Sequence, residues 1–270
     1  MIRNAGLALA LSVSLAGIGA ASAADMAVKA RPVPVQVYSW TGCYIGLSAG
    51  GKGVRTRDTV YVPAAPPVAA SSLSLGELED TTWIAGGQAG CNYQSGNWVF
   101  GIEGDAHAQK WTTSSILAGA LPAPFAAGDI FELRSDWQAS ARARVGYAMD
   151  RTLFYVTGGA AFTEVRAYSN WVPVPPLPGT IAYDSRTLTG WTIGVGVEHA
   201  VTNNFTLGIE GRYSDYGTQR FNAGPLVVAI GQAAPIPVVS NTYRDVRIET
   251  GEVMVKANWK FGPTAVVAKY

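Results

Sequence analysis

Residues 98–108, Trp-Val-Phe-Gly-Ile-Glu-Gly-Asp-Ala-His-Ala, decide the fold of this chain. The even-numbered positions carry apolar or small side chains such as Phe100 and Ile102, whereas Glu103 and Asp105 lie between them. A period of two is typical of a β-strand with one apolar face and one polar face. The sequence therefore predicts a strand over 97–111.

Seven further segments have similar length, and turn-forming residues separate them. We predict eight strands, at 41–53, 81–94, 97–111, 134–148, 152–166, 186–200, 204–217 and 243–261. Most of them alternate, but 152–166 alternates poorly and its two faces cannot be assigned. Short connections near 95–96, 149–151 and 201–203 take turns with long ones near 54–80, 112–133, 167–185 and 218–242. This pattern predicts an all-β fold, an eight-stranded antiparallel up-and-down transmembrane barrel with four long external loops and three short periplasmic turns.

The N-terminus resembles a secretory signal peptide. Arg3 precedes an uncharged run rich in Leu and Ala, and Ala21-Ser22-Ala23 is a signal-peptidase type of site. We therefore predict a signal peptide at 1–23, a Pro/Val-rich periplasmic linker at 24–40, the barrel at 41–262 and a C-terminal tail at 263–270. Every apolar stretch after the signal peptide is too interrupted to form a membrane-spanning helix.

Composition supports a barrel that faces lipid. The chain has 31 Gly, 8 Trp and 12 Tyr among 270 residues, and only 14% of its residues are charged, against about 25% in soluble domains. Its net charge of +1 argues against nucleic acid as a partner. Alternation alone also fits a soluble barrel, but export, sorted loop lengths and aromatic residues near strand ends favour the outer membrane.

Several short motifs follow one another in the order of a known family. They are Trp40-Thr41-Gly42-Cys43-Tyr44-Ile45-Gly46, then 86–94, 100–105 and 207–213, then Asn258-Trp259-Lys260-Phe261 and the tail 266–270. Together they resemble the α-proteobacterial outer-membrane immunogenic, "porin-family" barrels, which are similar in shape to OmpA/OmpX-type barrels. Cys43 departs from the family, which often has an aromatic residue there. The resemblance implies roles in envelope integrity and surface antigenicity, and it implies no catalysis.

The polar strand faces supply a set of charged residues that we predict to line the barrel interior. The set comprises Glu103, Asp105, His107, Arg142, Arg144, Glu198, Glu210, Arg212 and Lys256. An eight-stranded barrel is only wide enough to be filled by side chains. Buried charges must also pair, because burying an unpaired charge is costly. We therefore expect a salt-bridged interior that stiffens the barrel.

Two other functions stay open from the sequence. A narrow polar lumen could act as a small passive channel, and some outer-membrane barrels modify lipids with Ser and His. No G-x-S-x-G motif is present and no Ser neighbours either His in sequence. We therefore predict a structural, surface-exposed protein with no enzyme activity, catalytic residue, cofactor or metal.

The chain has two cysteines, Cys43 and Cys91. Both lie on the apolar face, early in the first predicted strand and late in the second, so antiparallel pairing brings them together. Because the periplasm is oxidising, we predict a cross-strand disulfide; the alternative is two free thiols that face lipid. The expected partners are outer-membrane lipid, lipopolysaccharide and the barrel-assembly machinery, and we expect a monomer or weak oligomer.

Overall fold

The computed structural model describes residues 36–64, 66, 69–121, 124–172, 179–230, 236–262 and 266–267. The predicted signal peptide, most of the predicted linker and most of the tail lie outside these residues. Within the described residues, no helix has the length and apolar character needed to cross a membrane.

Eight long strands form one closed barrel in which every strand pairs with its neighbours in sequence. They are β2 (Gly42–Val62), β3 (Ser71–Ser95), β4 (Trp98–Ile116), β5 (Ile130–Met149), β6 (Thr152–Trp171), β7 (Thr180–Ala200), β8 (Phe205–Ile230) and β9 (Ile236–Phe261). All pairs are antiparallel, and β9 closes the ring on β2. The predicted eight-stranded up-and-down barrel is confirmed.

The register around the ring sets the tilt of the strands. One row of paired residues begins at Trp259 and passes through Ile45, Ala89, Gly104, Ala141, Ala160, Trp191 and Asp215 to Glu249. The row therefore returns to β9 ten residues from where it left, at 249 instead of 259. For eight strands about 4.8 Å apart, with a rise of about 3.3 Å per residue, this stagger gives a tilt of roughly 40°.

Tight turns join the strands at one end of the barrel. Residues 96–97 and 150–151 connect strands directly, and Gly96 and Asp150 adopt left-handed φ angles of 59° and 52°. Two-residue hairpins need such angles so that the turn matches the twist of the strands. The third connection at this end is 201–204.

At the other end the strands are longer than the sequence predicts. Much of the predicted loops 54–80, 112–133, 167–185 and 218–242 is strand, and the connections shrink to 63–70, 117–129, 172–179 and 231–235. The predicted strand ends were wrong because the alternation continues beyond them while its polarity reverses, as described below. Connections at this end remain longer than those at the hairpin end.

Short segments that flank the barrel in sequence pair with each other at its hairpin end. Strand β1 (Gln36–Val37) pairs antiparallel with β10 (Val266–Val267). The last residues of the predicted linker are thus fixed to the barrel: Tyr38 and Trp40 are buried, and the Trp40 amide donates a hydrogen bond of 2.7 Å to Gln94.

Candidate functional site

Two belts of exposed aromatic side chains surround the outer wall. The belt near the hairpin turns contains Tyr93, Trp98, Tyr147, Phe154, Trp259 and Phe261, and the other contains Trp83, Trp137, Trp191 and Tyr213. Ten residues separate Trp83 from Tyr93 on β3 and Trp137 from Tyr147 on β5. At a tilt of roughly 40° this spacing places the belts about 25 Å apart, which is the height of the apolar band of an outer-membrane barrel.

Between the belts, the outer wall is apolar and the interior is polar. On β2, Ile45 and Leu47 face outward, whereas Ser48 and Lys52 are buried in the lumen. This is the arrangement of a barrel in lipid, because apolar side chains then contact hydrocarbon and polar ones are shielded from it.

Beyond the second belt the polarity of the strands reverses. Further along β2, Arg55 and Arg57 lie on the outer wall, whereas Val54 and Val60 are buried inside. Two apolar clusters lie in this upper interior, together with the buried ion pair of Asp58 and Arg244. The clusters include Trp111, Leu133, Val165, Phe221 and Ile248 in the lower cluster and Val62, Phe131 and Trp171 in the upper cluster. The upper barrel therefore has the polarity of a water-soluble barrel, which fits a wall that projects from the membrane.

The nine predicted interior residues all lie in the lumen between the belts, and the structure joins them in one network. Glu103 is its centre: its carboxylate accepts hydrogen bonds from Tyr44 (2.5 Å), Arg144 (2.6 Å), Lys256 (2.7 Å) and Arg142. These bonds are charge-assisted because the Glu103 carboxylate is ionised, and such bonds are strong. The side chains are almost fully buried, so the bonds are also shielded from water.

The remaining charges complete the network around Glu103. Arg142 also donates to Glu210 (2.5 Å), which accepts a further bond from Lys256 (3.0 Å). Arg212 contacts Asp105 and Glu210 at 3.2 Å each. Glu198 accepts from Arg144 at 3.1 Å.

Two members of the network were not predicted from the sequence. Lys52 Nζ lies 3.2 Å from Glu252 Oε1, and both side chains are buried. With this pair, the described part of the chain places five carboxylates in the lumen between the belts, Glu103, Asp105, Glu198, Glu210 and Glu252, against five cations, Lys52, Arg142, Arg144, Arg212 and Lys256. The signal was available, since Lys52 has the strand parity of Ser48 and Glu252 has that of Lys256.

The lumen also brings together a serine, a histidine and an aspartate that are far apart in sequence. Ser48 Oγ lies 2.7 Å from His107 Nε2, and His107 Nδ1 lies 3.1 Å from Asp105 Oδ1. Such a geometry invites comparison with a catalytic triad, which is recognised by geometry and roles. However, the Ser48 hydroxyl donates its only hydrogen to Gln88 Oε1 (2.7 Å).

The orientation of Gln88 provides an acceptor for that hydrogen. Its Nε2 donates to Asn258 Oδ1 (2.8 Å) and to the carbonyl of Leu47 (3.2 Å), which fixes Oε1 as an acceptor toward Ser48. A serine nucleophile must give its proton to the histidine. In this arrangement the Ser48 hydroxyl links Gln88 and His107.

The hairpin end of the lumen is closed by an apolar cluster. Tyr38 and Trp40 pack edge to face at 5.0 Å, and their cluster includes Leu153 and Tyr155 of β6. Lys260 Nζ lies 4.3 Å from the centre of the Tyr38 ring. Side chains thus fill the interior at three levels: this cluster, the ionic network and the upper apolar core.

The structure joins Cys43 and Cys91 in a disulfide. The two residues are directly paired across β2 and β3, on the outer wall close to the belt at the hairpin end.

An apolar outer band between aromatic belts, a polar interior and sorted connections define a transmembrane barrel of the bacterial outer membrane. Comparisons with known proteins support this class. Residues 11–261 match the family described as outer membrane protein beta-barrel domain, so the chain belongs to that family. It is located in the outer membrane and is a structural, surface-exposed barrel.

Relatives with similar sequences come from α-proteobacteria. The 31 kDa outer-membrane immunogenic protein of Brucella melitensis is 32% identical over 93% of this chain and 99% of the relative. The 22 kDa outer membrane protein of Rhizobium leguminosarum is 31% identical over 57% of this chain and 64% of the relative. Neither relative is named as an enzyme. Among solved structures, the Ail attachment invasion locus protein of Yersinia pestis matches with 12% identity and a TM-score of 0.36, over 82% of this chain and 99% of Ail.

Proposed function

We propose that this protein is a sealed and non-catalytic wall element of the outer membrane, which stiffens the envelope and presents a rigid surface outside the cell. The observation that carries the proposal is the balanced ionic network of five carboxylates and five cations around Glu103. Because the charged side chains of the network are bonded to one another, none of them is available to bind an ion that enters the lumen. The apolar clusters above and below it add two further layers of packed side chains.

Planar-bilayer recording tests the sealed lumen. We expect purified protein, reconstituted in lipid, to produce no stepwise conductance under conditions in which a sixteen-stranded porin conducts, because large porins leave an aqueous channel and an eight-stranded barrel does not. Reproducible ohmic steps that disappear when the protein is omitted would favour the passive channel and contradict the proposal.

A reactive fluorophosphonate probe tests the absence of serine-hydrolase chemistry. We expect Ser48 in the folded protein to stay unlabelled, because its hydrogen is donated to Gln88 and it is 5% exposed. An outer-membrane serine hydrolase serves as the positive control. Labelling of the folded protein that disappears in a Ser48→Ala variant would instead assign a nucleophile to the lumen.

A further inference from the structure

The outer wall of β5, β6 and β7 carries an open cleft of about 340 Å³ above the second aromatic belt. This volume is at the small end of the range for ligand pockets. Glu132 lies five residues beyond Trp137 on β5, so at the strand tilt given above the cleft is about 12 Å outside the belt. Its side chains therefore face the exterior of the cell and not hydrocarbon.

Two adjacent rows of the sheet build the cleft. In the upper row, Glu132 pairs with Tyr168, and Tyr168 pairs with Tyr183. In the lower row, Arg134 is directly opposite Arg166. Because neighbouring strands hold every side chain in register, the cleft is preformed by the barrel wall.

The two tyrosines form an exposed aromatic platform. Their ring centres are 5.1 Å apart with an angle of 45° between the planes, and Tyr183 is 79% exposed. Aromatic rings of this kind bury a large apolar area once a ligand covers them. Tyr168 is half-buried beside Tyr183, so a ligand would cover mainly the Tyr183 ring.

The two arginines are placed at a cost in stability. Like charges directly opposite each other on neighbouring strands are destabilising, and here Asp136 offsets the repulsion by accepting from Arg134 (3.1 Å) and from Arg166 (2.7 Å). Arg166 also bonds Glu164 at 2.9 Å. The guanidinium groups are thus held in place by acids.

The charge around the cleft indicates the kind of ligand. Glu132, Asp136 and Glu164 outnumber the two arginines, so the cleft has no excess positive charge to attract an anion. Glu132 forms no ion pair with any described residue, which leaves its carboxylate as an acceptor at the rim. A ring-shaped ligand with many hydroxyl groups matches a platform flanked by donors and an acceptor.

We propose that this cleft binds an uncharged saccharide, with one or two sugar rings stacked on Tyr168 and Tyr183 and their hydroxyls bonded by Glu132, Arg134 and Arg166. The sugar belongs either to the cell's own lipopolysaccharide or to a glycan on a surface that the cell contacts. The inference depends on the outward orientation of the upper barrel and not on the sealed lumen, so conductance results leave it unaffected.

Titration of the folded, detergent-solubilised protein tests the cleft. The probes are neutral oligosaccharides of glucose, mannose and galactose, and the uncharged fraction of the saccharide released by mild acid from the cell's own lipopolysaccharide. Binding is followed by saturation-transfer NMR and calorimetry. We expect Tyr183→Ala to weaken binding roughly tenfold, as the loss of one aromatic stacking contact requires. Tyr183→Phe, which keeps the ring, should bind within about twofold of the wild type.

The matched control is Tyr61→Ala, which removes an exposed tyrosine from the same outer region on β2. Tyr61→Ala should bind as the wild type does. All variants should also migrate faster on gels when unboiled than when boiled, as a folded barrel does. Binding of the released oligosaccharide identifies the cell's own lipopolysaccharide as a source, and binding of the other sugars alone identifies a contacted surface. The proposal is overturned if no saccharide binds, if only a protein ligand binds, or if Tyr61→Ala loses as much affinity as Tyr183→Ala.

Discussion

Replacing Glu103 by Gln should strongly destabilise the barrel. The carboxylate of Glu103 contacts three cations, Arg142, Arg144 and Lys256, in addition to the Tyr44 hydroxyl. Glutamine keeps the size of the side chain but removes the charge, and its amide directs hydrogens toward groups that are themselves donors. The lumen then holds five cations against four carboxylates.

The expected loss follows from that imbalance. Removing one partner of a buried ion pair usually costs about 3–5 kcal/mol, because the other charge stays buried and unpaired. Global stabilities are about 5–15 kcal/mol, so this single substitution should remove a large share of the free energy of unfolding. We expect the upper half of the range, since Glu103 serves three cations.

Urea unfolding in detergent or lipid vesicles measures the loss, with the folded fraction read from the mobility of unboiled protein on gels. The control Glu164→Gln removes an exposed carboxylate that bonds Arg166 on the outer wall, where ion pairs contribute little, and its unfolding midpoint should match the wild type. The double variant Glu103→Gln, Lys256→Met restores equal numbers of charges. It should be more stable than Glu103→Gln alone.

Two results would refute the reasoning about the network. One is a loss below about 1 kcal/mol for Glu103→Gln, which would mean that water or rearranged side chains replace the lost charge. The other is a double variant whose loss of unfolding free energy equals the sum of the losses for Glu103→Gln alone and Lys256→Met alone. Losses at independent sites add in this way, whereas losses within one network do not.

Three further predictions concern other parts of the barrel. Trp40→Ala should lower the free energy of unfolding by about 3–5 kcal/mol because it opens a cavity in the cluster at the hairpin end, whereas Trp98→Ala on the outer wall should cost less; urea midpoints compare them. Replacing both cysteines by serine should leave a folded barrel on unboiled gels but lower its stability by up to about 4 kcal/mol, and equal midpoints with and without reductant in the wild type would contradict this. Arg220 donates two hydrogen bonds to Asp245 and lowers the pKa of that carboxyl, so the pair stabilises above the unfolded pKa near 4 and loses this effect as the pH falls through the lower folded pKa. The urea midpoints of wild type and Asp245→Asn should therefore differ slightly at neutral pH and converge as the pH falls through the folded pKa of Asp245; a difference that grows in acid would contradict this prediction.

The strand count and order could be predicted from sequence because the alternation between the belts is strong. The strand ends could not, because the pattern keeps its period but exchanges its polarity near Gly53 of β2. If every outward-facing residue of a strand is expected to be apolar, the strand is predicted to end at this point, and Arg55 and Arg57 are assigned to a loop. The same change of polarity hid Glu252, which points inward three residues after the outward Glu249.

Segment 152–166 shows why one strand could not be assigned faces. Its inward positions carry Leu153 and Tyr155 in the hairpin-end cluster and Val165 in the upper core. Its outward positions between the belts carry Phe154 and Val156. Both faces therefore carry apolar side chains, and the hydropathy of this segment does not alternate clearly from one residue to the next.

The triad-like contact between Ser48 and His107 was also invisible in the sequence. The two residues are 59 positions apart, and only the register of β2, β3 and β4 brings them together. Neighbourhood in sequence was the wrong test for such a contact, because a barrel joins residues across strands.

The extension of paired strands beyond the membrane determines what an antibody or a phage would meet on this cell. Neighbouring side chains there, such as Glu132, Tyr168 and Tyr183, come from three separate stretches of chain held side by side. An epitope on this wall is therefore assembled from several segments and disappears when the protein is boiled. A linear peptide copied from any one segment would contain only one of the strands that form the epitope. Sera raised against such peptides would therefore recognise denatured protein better than intact bacteria.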